Sequence, residues 1–133
     1  MRAMSRVSSG HAALLCAVLA TLFICQVVAA QPKPSRQGEV RIGNKTPYPV
    51  RVVITKADGS LEGAFWDFAP GEGGSEGIRL ALANKPVLLG EGDVITVFTV
   101  DGSRKYWGPN ILGRTLAPFW DGRRRMWTSV LRP

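Results

Sequence analysis

The chain has 133 residues, of which 17 are basic and 10 are acidic, and its formal net charge of +7 at neutral pH favours anionic partners. Its two cysteines and its single histidine all lie near the N-terminus, at Cys16, Cys25 and His11. The remainder of the chain therefore lacks the side chains of disulfides, of thiolate or imidazole metal sites, and of the common Cys/His and Ser/His/Asp catalytic arrangements.

The first thirty residues have the organisation of a secretory signal peptide. Arg2 and Arg6 form a positive start, residues 12–24 form an apolar stretch of ordinary signal length, and the small residues up to Ala30 suit a signal peptidase. We predict cleavage after Ala30 and export of the protein, either secreted or periplasmic. The alternative is an uncleaved membrane anchor, because the whole segment is about long enough to cross a bilayer, although Gln26 interrupts it.

Charge is distributed unevenly along the part of the chain that would remain after cleavage. Residues 31–56 carry six basic side chains and one acidic, residues 57–93 carry two basic and seven acidic, and residues 102–133 carry seven basic and one acidic. If the two basic ends meet in the fold, they form a positive face that favours envelope polymers, lipid headgroups or nucleic acid. The alternative is that the acidic middle pairs with the basic ends inside the domain.

The chain after Ala30 is predicted to begin with an extended leader and to continue as one domain. Residues 31–38 hold two prolines and no large apolar residue, whereas residues 39–133 are long enough to bury a core. The domain begins with a short strand at residues 39–42 and, after a proline-rich turn, a strand at residues 48–55. Apolar and polar residues alternate in this second strand, which is typical of a strand with one buried face.

The middle of the domain is predicted to contain a strand and a glycine-rich loop within residues 61–75. A further strand is predicted near residues 78–82, and the alternative for residues 79–83 is one helical turn. Residues 94–100 hold Val, Ile, Thr and Phe without interruption, a composition that favours a central strand covered on both faces. Asp101 and Gly102 then predict a two-residue type I′ hairpin turn into an exposed, cationic strand.

The C-terminal part is predicted to form a second hairpin after a turn at residues 108–110. Asp121 and Gly122 mark its turn, and residues 125–131 alternate as a strand does. About seven short strands separated by turn residues, with no long amphipathic helix, predict an all-β fold. We expect a single antiparallel β-sandwich or a small open barrel.

The domain contains several short motifs, which are Ile42-x-Asn44-x-Thr46-x-Tyr48-Pro-Val50, Ala69-Pro-Gly-Glu72, and Tyr106-Trp-Gly-Pro109 ahead of a Trp120/Trp127 hairpin. With these motifs the chain resembles small exported bacterial β-domain proteins of uncharacterised function. The resemblance covers residues 40–131 and implies a compact exported β domain. It implies no catalytic residue.

Aromatic rings and cations occur together in the basic C-terminal third, and we take this constellation as the candidate binding face. Its members are Arg104, Lys105, Tyr106, Trp107, Trp120, Arg123, Arg124, Arg125 and Trp127. If the two hairpins are neighbours, the rings can stack on sugars or bases while the arginines pair with carboxylate, sulfate or phosphate oxygens. The alternative is that the tryptophans are core or strand-edge residues and that the arginine triplet is a solvated turn protecting an edge strand.

The alternative that the protein is an enzyme depends on five acidic side chains in the middle of the domain, which are Asp67, Glu72, Glu76, Glu91 and Asp93. A carboxylate pair would suit acid–base hydrolysis of a glycoside, but a domain of this size leaves little room for a cleft with several subsites. The spacing of these residues matches no EF-hand loop. We therefore expect a non-enzymatic protein without a metal or another cofactor.

The sequence as a whole favours an exported binding or interaction module for an anionic glycan, an envelope polymer or another protein. Nucleic acid is not favoured as a partner, and a membrane contact is expected only through residues 12–30 if that segment is not cleaved. Two alternatives have the same sequence features. One is a small secreted inhibitor or toxin-like effector, and the other, less favoured, is a small carboxylate-dependent hydrolase.

Overall fold

The computed structural model describes residues 35–133, which fold from strands and turns without a helix in that range. The all-β class predicted from the sequence is thus confirmed. The signal peptide and the cleavage site predicted for residues 1–30, and the leader up to Pro34, lie outside the described residues. A search of the described range finds no helical segment able to span a bilayer.

Eleven strands make up the described domain. They are β1 (Gln37–Asn44), β2 (Val50–Thr55), β3 (Phe65–Phe68), β4 (Ile78–Arg79), β5 (Ala81–Leu82), β6 (Lys85–Pro86), β7 (Leu88–Gly90), β8 (Val94–Thr99), β9 (Tyr106–Ile111), β10 (Phe119–Asp121) and β11 (Met126–Leu131). The strands beyond the seven expected are short pieces. In particular, the strand predicted near residues 78–82 is divided into β4 and β5 at the buried Leu80.

The strands form two larger sheets and one small hairpin of β5 and β6. In the five-stranded sheet, β1 pairs with β11 on one side and with β4 and β7 on the other, and β10 forms the edge beyond β11. The four-stranded sheet has the order β3-β2-β8-β9, and all its pairs are antiparallel. The β1–β11 pair is parallel and is the exception to the expected antiparallel arrangement. This exception is possible because no hairpin joins these two strands.

The two sheets pack on one shared hydrophobic core, as in a β-sandwich. From the four-stranded sheet, the core receives side chains that are at most 2 % exposed, namely Val50, Val52, Ile54, Ile95 and Val97. The five-stranded sheet contributes side chains that are at most 4 % exposed, namely Val40, Ile42, Leu89, Trp127 and Leu131. Every second residue of a strand faces this core, so the alternation predicted for β2 is confirmed.

The central hairpin forms, but with a different turn from the predicted one. As predicted, β8 lies between two other strands, yet it is covered on one face only, because Phe98 is 37 % exposed on the other face. The connection to β9 is a longer loop in which Gly102 and Arg104, but not Asp101, have positive φ. A two-residue type I′ turn needs positive φ at both central residues, so the prediction of this turn type is wrong.

The turn predicted at residues 108–110 is also wrong, because these residues lie inside β9. A β-bulge in β9 accommodates them, because β9 advances three residues, from Trp107 to Asn110, where β8 advances two, from Ile95 to Val97. Gly108 has a φ of 107°, and a Cβ at this position would lie 2.9 Å from the carbonyl oxygen of Ile95. Glycine therefore allows the close approach, and β9 continues to Ile111 as the edge of its sheet.

Two strands begin at residues other than the predicted ones. Gln37 and Gly38, placed in the leader by prediction, are the first residues of β1. Gly38 lies against the carbonyl of Arg125 and the ring of Trp120, so a larger side chain there would separate β1 from β11. The strand predicted to start at residue 61 begins only at Phe65, after two turns.

Asn44 connects the end of β1 with the segments that enter the four-stranded sheet. Its side-chain amide donates to the carbonyls of Tyr48 (2.7 Å) and Ala69 (2.9 Å), and its side-chain oxygen accepts from the N–H and the hydroxyl of Thr46. Asn44 is completely buried, and these four bonds satisfy its amide. The spacing of Asn44 and Thr46 noted in the sequence therefore has a structural reason.

Candidate functional site

The structure separates the nine candidate residues into two groups. The first group lies at the start of β9 and consists of Arg104, Lys105, Tyr106 and Trp107, and the second belongs to the β10–β11 hairpin and consists of Trp120, Arg123, Arg124, Arg125 and Trp127. The indole of Trp107 donates to the carbonyl of Arg132, just beyond the end of β11 (3.0 Å), whereas the arginine triplet precedes the start of β11. At the usual rise per residue, the two groups are about 20 Å apart along this strand. They do not share one face.

The tryptophans of the candidate face belong wholly or partly to the interior. Trp127 is 1 % exposed, and its indole N–H donates to the carbonyl of Leu89 (3.1 Å). Trp120 packs on Trp127 with ring centroids 4.9 Å apart, and Trp107 is also partly buried against the core. Placing Trp127 on the binding face is therefore wrong. Alternation along β11 does not indicate which of its two faces is buried, and a large ring with one satisfied donor suits the core.

Within the first group, Tyr106 is the residue that points to solvent, with 73 % exposure. Lys105 lies on the opposite side of the strand, where its ammonium is 5.1 Å from the ring centre of Tyr48. Arg104 is exposed in the loop before β9 and has a φ of 56°. Arg104, Lys105 and Tyr106 are thus all exposed, and Tyr106 is the one whose pairing with Phe98 places it on the outer face of the sheet.

Tyr106 continues a line of side chains that crosses the outer face of the four-stranded sheet. Directly paired positions run from Asp67 on β3 to Arg51 on β2, Phe98 on β8 and Tyr106 on β9. Paired residues of neighbouring antiparallel strands have their side chains on the same face, and Phe65 shares this face because it lies two residues before Asp67. We call these five residues the aromatic row. It spans three inter-strand distances, or about 14 Å.

Arg51 is held in a fixed orientation in the middle of the aromatic row. Its Nε and Nη2 donate to the two carboxylate oxygens of Asp67, each at 2.8 Å, and its guanidinium carbon lies 3.8 Å from the ring centre of Phe65. The bidentate pair and the stacked ring together fix the plane of the guanidinium. Because a guanidinium has five N–H donors, three remain beyond the two that Asp67 accepts.

The same ion pair shifts the ionisation of both partners. The hydrogen bonds from Arg51 hold the pKa of Asp67 below its ordinary value, and the hydrogen bond to Asp67 raises the pKa of Arg51. Both groups therefore remain charged throughout the neutral range. The pair is electrically balanced, so it adds no net charge to the aromatic row.

A groove of about 450 Å³ adjoins the β3 end of the aromatic row. Phe65 and Asp67 line it on the side of the row, and Glu72 and Arg79 place one negative and one positive side chain along it. A ligand lying along the row can extend into this groove.

The five acidic residues of the catalytic alternative are mostly engaged within the chain. Asp67 pairs with Arg51, Glu72 accepts the N–H of Ala69 (2.6 Å), Glu91 pairs with Arg36, and the buried Asp93 accepts the N–H groups of Ala57 (3.2 Å) and Gly90 (2.8 Å). Glu76 is exposed. Residues 35–133 contain no group of three side chains placed to hold a metal ion. The four engaged carboxylates stabilise turns and strand pairs of the described domain.

Sequence reasoning missed three members of the aromatic row: Arg51, Phe65 and Phe98. Alternation in β2 does place Arg51 on the face opposite the buried valines, so this signal was present in the sequence. Phe98 lies in an uninterrupted apolar run, where periodicity cannot distinguish the two faces. The row itself arises from the register of four strands, which no single segment encodes.

Comparisons of the chain with protein-family models, with curated proteins and with solved structures each find no match. The resemblance to small exported bacterial β-domain proteins therefore stays a prediction. A β-sandwich by itself implies no activity, so the chemistry of its surface has to indicate the function.

Proposed function

We propose that the protein is a non-enzymatic binding module that holds an acidic glycan on the outer face of its four-stranded sheet. The observation that carries the proposal is the aromatic row, in which exposed rings flank an immobilised guanidinium. Phe65, Phe98 and Tyr106 are 50 %, 37 % and 73 % exposed. Contiguous exposed apolar groups bordered by polar ones are typical of interaction surfaces on soluble proteins.

The chemistry of the aromatic row suits a sugar that carries negative groups. The apolar C–H face of a sugar ring stacks on Phe and Tyr, and the remaining donors of Arg51 suit carboxylate or sulfate oxygens. Arg104 is an exposed cation in the loop two residues before Tyr106. Asp101 lies in the same loop, but its carboxylate accepts the backbone N–H of Ser103 (2.9 Å), which keeps it in the turn.

The surface is also rigid before any ligand arrives. β2 and β8 are the two central strands of the sheet, and their inward side chains are buried in the core. Arg51 is already oriented by Asp67 and Phe65. A ligand therefore meets groups whose ordering costs little at the moment of binding.

Calorimetric titration of the purified protein with a carboxylated polymer, polygalacturonate, and with a sulfated one, heparin, tests this proposal. We expect both affinities to fall as ionic strength rises through the physiological range, because part of the attraction is between screened charges. Tyr106→Ala is expected to weaken binding by about 5- to 150-fold, the equivalent of the ~1–3 kcal/mol found when a base stacks on an aromatic side chain.

Leu82→Ala provides the matched control. Leu82 is 47 % exposed on β5, which pairs with β6 and contributes nothing to the aromatic row. We expect this variant to bind both polymers as the original protein does. Equal polymer affinities for the Tyr106→Ala variant and the original protein would exclude the aromatic row as the glycan site.

A further inference from the structure

A second exposed surface, which we call the basic corner, lies at the β10–β11 hairpin and the loop that follows β9. Its cations are Arg114, Arg123, Arg124 and Arg125, and its apolar side chains are Leu116 and Phe119, which are 101 % and 57 % exposed. Leu116 is the most exposed large hydrophobic residue of the described part of the chain. None of these residues belongs to the aromatic row.

Contacts within the domain bring the loop of the basic corner next to the hairpin. Gly113, the neighbour of Arg114, lies against the guanidinium of Arg36. That guanidinium in turn lies 5.4 Å from the ring centre of Trp127, on which Trp120 of β10 packs. The loop that carries Arg114 therefore lies near the pair of tryptophan rings at the base of the hairpin.

The acidic residues near the basic corner do not neutralise its cations, so the corner keeps a net positive charge. Asp121 accepts the backbone N–H groups of Arg123 (2.9 Å) and Arg124 (3.1 Å) and lies 3.9 Å from the Nε of Arg124. Glu91 is paired with Arg36, which is not one of the four corner cations. Four cations minus the one charge of Asp121 leave a balance of +3. An anionic surface is the complementary partner.

We propose that the basic corner docks on an anionic lipid surface, with Leu116 and Phe119 entering the headgroup region and the arginines contacting lipid phosphates. Cations beside an anionic membrane each raise the affinity by about fivefold, and exposed apolar groups add to this by leaving water. A soluble polyanion would satisfy the arginines but would gain nothing from the two apolar side chains. This contact is distinct from the apolar segment at residues 12–30 and from the proposed glycan site.

A site-specific fluorescence measurement tests the proposal on the full chain. In a protein carrying Cys16→Ser and Cys25→Ser, an environment-sensitive dye is attached through Leu116→Cys, or through Leu82→Cys in a matched protein. Leu82 is the control because it is also exposed and has a nearby cation, Lys85, at the opposite edge of the fold. We expect a blue shift for the Leu116→Cys label with phosphatidylglycerol vesicles, none with phosphatidylcholine vesicles, and none for the Leu82→Cys label. The N-terminal segment is present in both proteins and cannot produce this difference.

Removal of the arginine triplet tests the electrostatic part of the docking. The variant with Arg123→Ser, Arg124→Ser and Arg125→Asn is expected to need about 100-fold more phosphatidylglycerol for the same shift of the Leu116→Cys label. Asn is used at the last position because Arg125 has a φ of 53°, which Asn tolerates better than Ser.

The control variant removes the same charge outside the basic corner, through Lys85→Ser, Arg104→Asn and Arg132→Ser. Arg104 also has positive φ, so this variant matches the backbone change as well. We expect its vesicle affinity to fall by less than about fivefold, the effect of a single contacting cation. An equal loss in the two variants would overturn the proposal, because it would show attraction to net charge alone.

Three other results would also overturn it. The first is an unchanged label at Leu116→Cys with phosphatidylglycerol vesicles, and the second is an equal shift at both label positions. The third is loss of the shift in millimolar inorganic phosphate at constant ionic strength, which would assign the arginines to a free-phosphate site and not to a lipid surface.

Discussion

Arginine occupies two different settings in the aromatic row and in the basic corner. In the row, Arg51 is fixed by two hydrogen bonds to Asp67 and by the ring of Phe65. In the corner, Arg123, Arg124 and Arg125 are exposed on a turn, and the one carboxylate near them is 3.9 Å from its closest guanidinium nitrogen. A fixed guanidinium selects a ligand by the geometry of its acceptors, whereas solvated ones respond to charge density.

The two regions also differ in the solvent exposure of their aromatic residues. Phe98 and Tyr106 are exposed on the outer face of the four-stranded sheet, whereas Trp120 and Trp127 lie beneath the basic corner and support the core. Cations next to tryptophans in the sequence therefore do not indicate a shared binding surface here.

The largest expected effect is on the free energy of unfolding, and it distinguishes a buried aromatic residue from an exposed one. Trp127→Ala is expected to lower the free energy of unfolding by about 3–5 kcal/mol, because it leaves a cavity and removes the indole hydrogen bond to the carbonyl of Leu89. Tyr106→Ala is expected to change it by no more than about 0.5 kcal/mol, since the ring is mostly in water. Urea denaturation followed by circular dichroism measures both. A cost below about 1 kcal/mol for Trp127→Ala would contradict its place in the core.

The next effect tests whether arginine geometry matters in one region and not in the other. Arg51→Lys keeps the charge but loses the bidentate fork, so we expect about tenfold weaker heparin binding and little change in stability. In the basic corner, Arg124→Lys is expected to change vesicle binding by about twofold or less, because a cation near a membrane acts mainly through its charge. Equal responses at the two sites, each measured by titration with its own ligand, would remove the distinction between them.

The fold class was predictable because its signals are local. Alternation in β2 and β11 and the frequent turn residues indicate short strands with one buried face, and the structure has them. The turn after β8 was not predictable from Asp101 and Gly102 alone, because the bulge in β9 and the longer loop depend on how the two strands pair. Local turn preferences give way to pairing across the whole sheet.

The candidate site was predictable only in part, for a related reason. Tyr106 and Arg104 were identified from composition and are open to a ligand, but the residues that extend the row come from β2, β3 and β8. Their side chains meet through strand order and register, which are properties of the folded sheet. The parallel pairing of β1 with β11 likewise joins the two ends of the domain, and no short segment encodes it.

A smaller, pH-dependent effect is expected from the lowered pKa of Asp67. Since the folded-state pKa lies below the ordinary value of about 3.9, the contribution of the ion pair is fully present above that pH and is lost as pH falls through the lowered pKa. Dextran sulfate is the suitable probe, because sulfates are its only charged groups and they stay ionised in this range. We expect its affinity at constant ionic strength to be flat from neutral pH to about pH 4 and to decline below that.

Two variants distinguish the effect of Asp67 on the pH dependence of binding from that of Glu72, the other acid of the adjoining groove. Asp67→Asn is expected to abolish the acid decline, and Glu72→Gln is expected to leave it in place. Arg79 also lines the groove, but it is held 3.3 Å from the carboxylate of Glu39. An acid decline that persists in Asp67→Asn would mean that another group controls the orientation of Arg51.

The smallest effect concerns the stability of the basic corner itself. The variant with Arg123→Ser, Arg124→Ser and Arg125→Asn is expected to melt within a few degrees of the original protein, because exposed ion pairs contribute about 0–1 kcal/mol. The turn is held by Asp121, whose carboxylate accepts two backbone N–H groups that the substitutions leave in place. Asp121→Ala, which removes that acceptor, is expected to cost about 1 kcal/mol and serves as the positive control in the same calorimetric melts. If the arginine variant unfolded at a much lower temperature than Asp121→Ala, the triplet would be part of the structural support of β11, and its loss of vesicle binding would report unfolding instead of a missing contact.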